Sequence, residues 1–132
     1  MSELDINERN IFGVFLKVKR QQKQLSLREL SNKVKVGHTY LLNIENGDKP
    51  PPNDELLKKM AAALNLIGEE KQLFFDLAAK SKQIRNDKNY YLPADVAEYI
   101  NKTDSAKQAI RTADCLGCSN EFWNEILEQL EK

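Results

Sequence analysis

The sequence predicts an all-α protein, and three observations carry that prediction. Apolar residues recur at spacings of three and four and nowhere alternate over the length of a strand. Helix start and stop signals bracket the periodic stretches, the sharpest of them at Ser26. The composition, 41% hydrophobic and 30% charged with 5 Gly and 4 Pro in 132 residues, is too apolar for a disordered chain and too polar for a membrane protein. A chain of this length holds one domain or two very small ones, which excludes a multi-domain enzyme. It contains no apolar run of about 18 residues, the length a membrane span needs. The polar, mostly acidic stretch from Met1 to Asn10 lacks the features of a secretory signal, so the expected location is the cytoplasm, with no membrane partner.

Taken in order, the first helix is expected from about Asn7 to Gln22, with Phe12, Phe15 and Leu16 on one face. The second begins at Ser26, an N-cap whose capping box is completed by Glu29, with Leu25 and Leu30 placed as a hydrophobic staple. It runs about two turns, to Val34. A third short helix carries Tyr40, Leu41 and Ile44 and stops at Asn46 and Gly47, where Gly accepts a left-handed conformation without steric cost. Pro50, Pro51 and Pro52 forbid continuation. The fourth starts near Asn53 and presents Leu56, Leu57, Met60, Ala61 and Leu64 as one stripe, reaching Leu66 and Gly68. The fifth, Glu69 to about Lys82, has acids in its first turn, favourable to the helix dipole, and buries Leu73, Phe74, Leu77 and Ala78.

The polar segment from Lys82 to Asn89 separates these five helices from a further helical region that holds, with Phe74 and Phe75, seven of the ten aromatics, including Tyr90, Tyr91 and Tyr99. Pro93 is suited to the first position of a helix containing Val96, Ala97 and Ile100. Another helix runs from about Asp104 to Cys115 with Ala106, Ala109, Ile110 and Ala113 expected inward, closing at Gly117. Ser119 then caps a last helix with Phe122, Trp123, Ile126, Leu127 and Leu130 on one stripe. The region is too apolar for a linker and suits either packing or association.

The formal charge is zero, yet unevenly distributed. Residues 1–68 carry eleven basic and eight acidic side chains, and residues 69–132 carry nine and twelve. Within 17–35, seven basic residues (Lys17, Lys19, Arg20, Lys23, Arg28, Lys33 and Lys35) face one acid, Glu29. An anionic partner therefore fits the first half only, a merely solvated helical face being the bland alternative.

The stretch LSLRELSNKVKVGHTYLLNIENG, Leu25 to Gly47, followed by proline and an LxxMAxAL helix, resembles the Cro and phage-repressor type helix-turn-helix, the XRE family of regulators. The resemblance extends from about Phe12 to Leu66. It implies a five-helix lambda-repressor-like bundle that binds double-stranded DNA, with an additional all-helical segment behind it. The expected division is a DNA-binding domain over 1–68 and a helical extension over 69–132 for dimerisation or partner binding. Leu30, Val34, Val36, Leu41 and Ile44 have the spacing that clamps two short helices at a steep angle and frees one face of the second for a major groove.

On that face the resemblance places His38, Thr39, Leu42 and Asn43 at base edges, where Asn pairs bidentately with adenine and Thr offers a hydroxyl and a methyl. Phosphate contacts fall to Lys19, Lys23, Arg28, Asn46 and Lys49. Arg20 and Glu45 match a pair that the family buries as an ion pair between the first and third helices. Three departures stand out: Leu27 where the family favours Gln, Lys35 in place of a turn Gly, and Gly37 in place of a Ser or Thr N-cap. A non-Gly residue in the left-handed region costs about 1 kcal/mol, and a Gly cap only a few tenths. Further along, the stretch Leu92 to Ile100 is similar to tails of small regulators of the same family and implies no activity.

Cys115 and Cys118 form the one CxxC. A zinc site needs four ligands and the single histidine, His38, lies on the reading helix, so no metal and no cofactor is expected and the cysteines read as structural. No nucleophile with a histidine base and no glycine-rich phosphate loop is present, which argues against an enzyme. The expectation is a homodimeric, sequence-specific transcriptional regulator, a repressor. The competing expectation is a protein-interaction module, an antitoxin or anti-regulator whose residues 69–132 bind a partner protein.

Overall fold

The structure, a computed structural model, describes residues 10–86 and 91–132. Among these residues are eight α-helices and no strand. They are α1 (Ile11–Gln22), α2 (Leu27–Val34), α3 (His38–Asn46), α4 (Asp54–Ala63), α5 (Gly68–Asn86), α6 (Ala94–Lys102), α7 (Asp104–Leu116) and α8 (Asn120–Glu131). They divide into two compact units, one ending at Ala97 and the other spanning Glu98–Lys132. The helix start expected at Asn7 lies outside the described residues, and Asn10 stands at the N-cap of α1. Tyr90 lies outside them as well.

In the first unit the helices are delimited by short-range chemistry. At Ser26 the capping box is closed in both directions: the Glu29 backbone N–H donates to Ser26 Oγ at 3.0 Å, and the Ser26 N–H donates to Glu29 Oε1 at 3.2 Å. The helix it opens, α2, ends at Lys35, whose φ of 60° and ψ of 48° put a lysine in the left-handed region. Gly37 precedes α3 with no side chain to cap it, and Gly47, at φ 85°, ends that helix. Asn53 caps α4 by accepting from the Leu56 N–H at 2.9 Å.

One core serves all five helices of this unit. Phe12 and Leu16 of α1, Leu30 and Val34 of α2, Leu41 and Ile44 of α3, Leu57, Met60 and Ala61 of α4, and Phe74, Phe75 and Ala78 of α5 are buried together. Each large side chain among them contributes about 1.5–3 kcal/mol on leaving water. The rings of Phe12 and Phe74 lie 5.2 Å apart, and Phe75 meets Phe74 edge-on at 5.5 Å. The core therefore extends past residue 68. Leu73, expected inward, is exposed, because its neighbours Phe74 and Phe75 take the buried side of α5.

Three helix ends differ from the sequence-based expectation: α4 stops at Ala63 and does not reach Leu66, because Leu64 is its C-cap and Asn65 turns left-handed at φ 52°. The fifth helix continues to Asn86 through the polar residues after Lys82, one of which, Arg85, finds a partner across the unit. Pro93 stands outside its helix: Ala94 is the first helical residue, and the Pro93 carbonyl accepts from the Ala97 N–H at 2.9 Å.

In the second unit α7 closes at Gly117, φ 69°, and α8 follows. Thr103 and Ser119 hold the N-cap positions of α7 and α8, yet neither side chain makes a capping bond. Of the four residues expected inward on α7, only Ala113 is buried; Ala106 is half-buried, and Ala109 and Ile110 are exposed. A lone pair of helices has too little mass to cover an apolar stripe on each. No helix among the described residues is long and apolar enough to cross a membrane.

Candidate nucleic-acid interface

The third helix is divided cleanly by its burial. Leu41, Ile44 and Glu45 are buried and Tyr40 is half-buried, whereas His38, Thr39, Leu42 and Asn46 are exposed and Asn43 is half-buried. At 3.6 residues per turn the outward residues share one contiguous face. The four residues expected to read bases thus lie side by side, joined by Asn46.

The C-terminal end of α3 is fixed from three directions. Arg20 of α1 donates from Nε to Glu45 Oε2 at 2.7 Å and from Nη2 to Oε1 at 3.0 Å, a bidentate geometry, while Nη1 donates to the Leu25 carbonyl at 2.9 Å. The two side chains are 12% and 1% exposed. A fork of this kind fixes orientation as well as energy, because two parallel bonds define a plane. It joins α1, the turn before α2 and the end of α3, and neutralises the buried Glu45.

Two further contacts correspond to no motif. Arg85 Nη2 donates to the Gly47 carbonyl at 2.6 Å, so the last helix of the bundle caps the end of α3. Asn10 Nδ2 donates to the Glu45 carbonyl at 3.3 Å, and Gly13 lets α1 approach the end of α3 so closely that a Cβ there would stand 2.6 Å from the Glu45 carbonyl and nearer still to that of Ile44. A glycine inside a periodic helix is the one sequence signal that points to this approach. Arg85 leaves none, because its partner is 38 residues away.

The basic residues around this face are not equivalent. Lys23, Arg28 and Lys49 are exposed, as are Lys33 and Lys35. Lys19 is engaged: its Nζ lies 2.8 Å from Glu70 Oε1 and 3.1 Å from Gln22 Oε1, over the Phe15 ring. The hydrogen bond from Lys19 holds the Glu70 carboxyl below its ordinary range against the opposing effect of burial, with lesser help from the charges of Lys19 and Lys23. Of the acids near α3, Glu45 is paired and Glu29 is bound into the capping box, leaving Asp48 exposed. The first turn of α3 contains no acid, so its N–H groups and dipole present positive potential outward.

Cys115 and Cys118 are free thiols, the first exposed and the second half-buried. Among the described residues no group of three His, Cys, Asp or Glu side chains is placed to hold a metal ion.

A helix-turn-helix family model matches residues 16–70, from the middle of α1 to the start of α5. No curated protein and no solved structure matches the chain. The matched span contains both short helices, the left-handed turn at Lys35 between them and the Arg20–Glu45 pair that orients the second. Residues 16–70 are accordingly a helix-turn-helix of the type that the XRE family of DNA-binding regulators carries.

Proposed function

We propose that the chain acts in the cytoplasm as a homodimeric repressor that reads a two-fold DNA site with α3. The observation that carries the reading is the outward face of α3: His38, Thr39, Leu42 and Asn43 turned to solvent on a helix held by Arg20, Arg85 and the close approach of Gly13. In the groove Asn43 has the donor and acceptor pair that adenine matches, and Thr39 suits thymine. Lys23, Arg28, Asn46 and Lys49 supply phosphate contacts that fix register, and Lys19 joins them only by exchanging Glu70 for phosphate. Arg20 and Glu45 act at one remove, by holding the reading helix. The reading assigns the chain no catalytic role.

Functionally the proposal separates residues 1–68, which bind DNA, from 69–132, which serve association, although α5 also completes the core of the DNA-binding bundle. Selection from a pool of random duplexes tests the function. The expected product is a palindrome whose half-sites lie about 34 Å apart, the spacing of successive turns. Enrichment of no sequence would overturn it.

A second reading keeps a specific observation on its side. The second unit exposes Leu116, Phe122, Trp123, Leu127 and Leu130, which suits an antitoxin or anti-regulator that docks a partner protein. Stoichiometric co-purification of such a partner, with no DNA selected, would give that reading precedence.

A further inference from the structure

The unit Glu98–Lys132 is 35 residues long, and of its hydrophobic side chains only Ala113 is buried. Units this small are usually held by disulfides, metals or association. Its cysteines are unbonded, and no metal cluster is found among the described residues. Meanwhile Ile110, Trp123, Leu127 and Leu130 remain exposed, Leu127 by 53% and Leu130 by 78%.

The charges beside this face say what covers it. Ile110, Ala113, Asp114 and Trp123 line one groove between α7 and α8. Lys107 stands seven residues before Asp114, two turns away on the same side of α7, with Ile110 roughly midway. Its nearest carboxylate, that of Asp104, is fully exposed and 3.9 Å away, a weak contact that is easily exchanged. A helix with a positive and a negative side chain placed equally either side of an apolar centre is complementary to its own antiparallel copy. Two-fold symmetry requires such self-complementarity, residue i meeting j while j meets i.

On α8 the acids Glu121, Glu125 and Glu128 lie opposite the stripe of Trp123, Leu127 and Leu130, so a second copy does not bring them together. Ala106 and Ala109, half-buried and exposed, leave room for a close approach of backbones.

We infer that a second copy of this chain covers the face, α7 pairing antiparallel with its counterpart about an axis beside Ile110, so that Lys107 meets the partner's Asp114 and the reverse pair forms by symmetry. The inference deepens the homodimer reading above and rests on it by naming the surface and its register.

Sedimentation equilibrium of the full chain, without DNA, tests it by charge exchange. The wild type is expected to be a dimer. Lys107→Glu sets two carboxylates together twice per dimer, and Asp114→Lys sets two ammonium groups together. Each is expected to weaken dimerisation by about tenfold or more, as juxtaposed like charges do at interfaces. The double variant Lys107→Glu with Asp114→Lys restores the pairs in reversed sense and is expected to return to within about threefold of wild type. An equimolar mixture of the two single variants is expected to form the heterodimer. Circular dichroism confirms that each variant is folded.

A monomeric wild type, single variants that dimerise as well as wild type, or folded variants whose double exchange fails to restore the dimer would each overturn the inference. DNA binding is read separately. A wild-type dimer that responds to the charge exchange yet selects no DNA supports this interface while refuting the repressor reading.

Discussion

Gly13→Ala sets two effects of known size against each other. In an isolated helix the substitution is favourable by about 0.5–1 kcal/mol, because alanine has less backbone entropy to lose. In this structure the added Cβ meets the Ile44 and Glu45 carbonyls and the Asn10 side chain. At 2.6 Å from the Glu45 oxygen it falls about 0.8 Å short of the 3.4 Å at which ordinary contact begins. Two of the three obstacles are backbone, held in place by the Arg20–Glu45 pair and the Arg85 bond to Gly47. The helices must therefore separate, and overpacking a close contact costs about 1–3 kcal/mol or more.

The steric cost wins, with an expected net destabilisation of about 1–2 kcal/mol. For a unit of this size a change of 1 kcal/mol lowers Tm by about 4–8 °C. Melting followed by circular dichroism at the helical band reads the shift. Adding Asn10→Ala removes the one neighbour that can yield and leaves both carbonyls, so the double variant should also melt below wild type. A Gly13→Ala protein as stable as wild type or more so would refute the close approach of α1 to the end of α3.

Glu45→Ala leaves the Arg20 guanidinium buried without its counter-charge and should destabilise by about 3–5 kcal/mol, whereas Arg20→Met with Glu45→Leu should cost much less than Glu45→Ala alone. A melting shift of a degree or less for Glu45→Ala would contradict the bidentate pair. Lys35→Gly relieves a left-handed φ of 60° and should raise stability by up to about 1 kcal/mol in chemical denaturation; a clear decrease would count against the turn geometry. The Glu70 carboxyl is held below its ordinary value of 4.5, so it binds protons more weakly folded than unfolded. Its contribution is present above about pH 4.5 and is lost as pH falls through the depressed value. Glu70→Gln should therefore flatten the acid limb of the stability profile, and an unchanged limb would discount the contact with Lys19.

What is legible in the sequence follows the range of the interaction. The capping box of Ser26 and Glu29, the stop at Gly47 and the cap at Asn53 act within a few residues and appear as local patterns. Arg20 and Glu45 are 25 residues apart, and only the family resemblance couples them, since no local rule connects those positions. The Arg85 bond to Gly47 has neither a local signature nor a matching motif, and polar side chains near Lys82 suggest an end to α5 where tertiary contact prolongs it.

In the second unit the periodicity of α7 locates the helix but overstates its inward stripe. Hydrophobic spacing records which side chains share a face and not whether this chain alone supplies enough surface to cover them. Among the site residues the resemblance carries His38, Thr39, Leu42 and Asn43 to one solvent-facing row. Composition cannot distinguish the occupied Lys19 from the exposed Lys23 and Arg28, because the difference lies in Glu70, 51 residues away in the chain.

The central claim is that the outward face of α3 reads bases, and comparing two variants on selected DNA tests it most directly. Binding of wild type, Asn43→Ala and Arg28→Ala is measured on the selected site, on single-base variants of it and across a salt series. Asn43→Ala should cost about 1–3 kcal/mol on the selected site and erase preference at one base pair per half-site, with the salt slope unchanged. Arg28→Ala should weaken every sequence alike and reduce the slope of log K against log salt by about 0.9 for each phosphate that is no longer neutralised. If Asn43→Ala kept the full base preference and changed only the salt slope, α3 would not lie in the major groove.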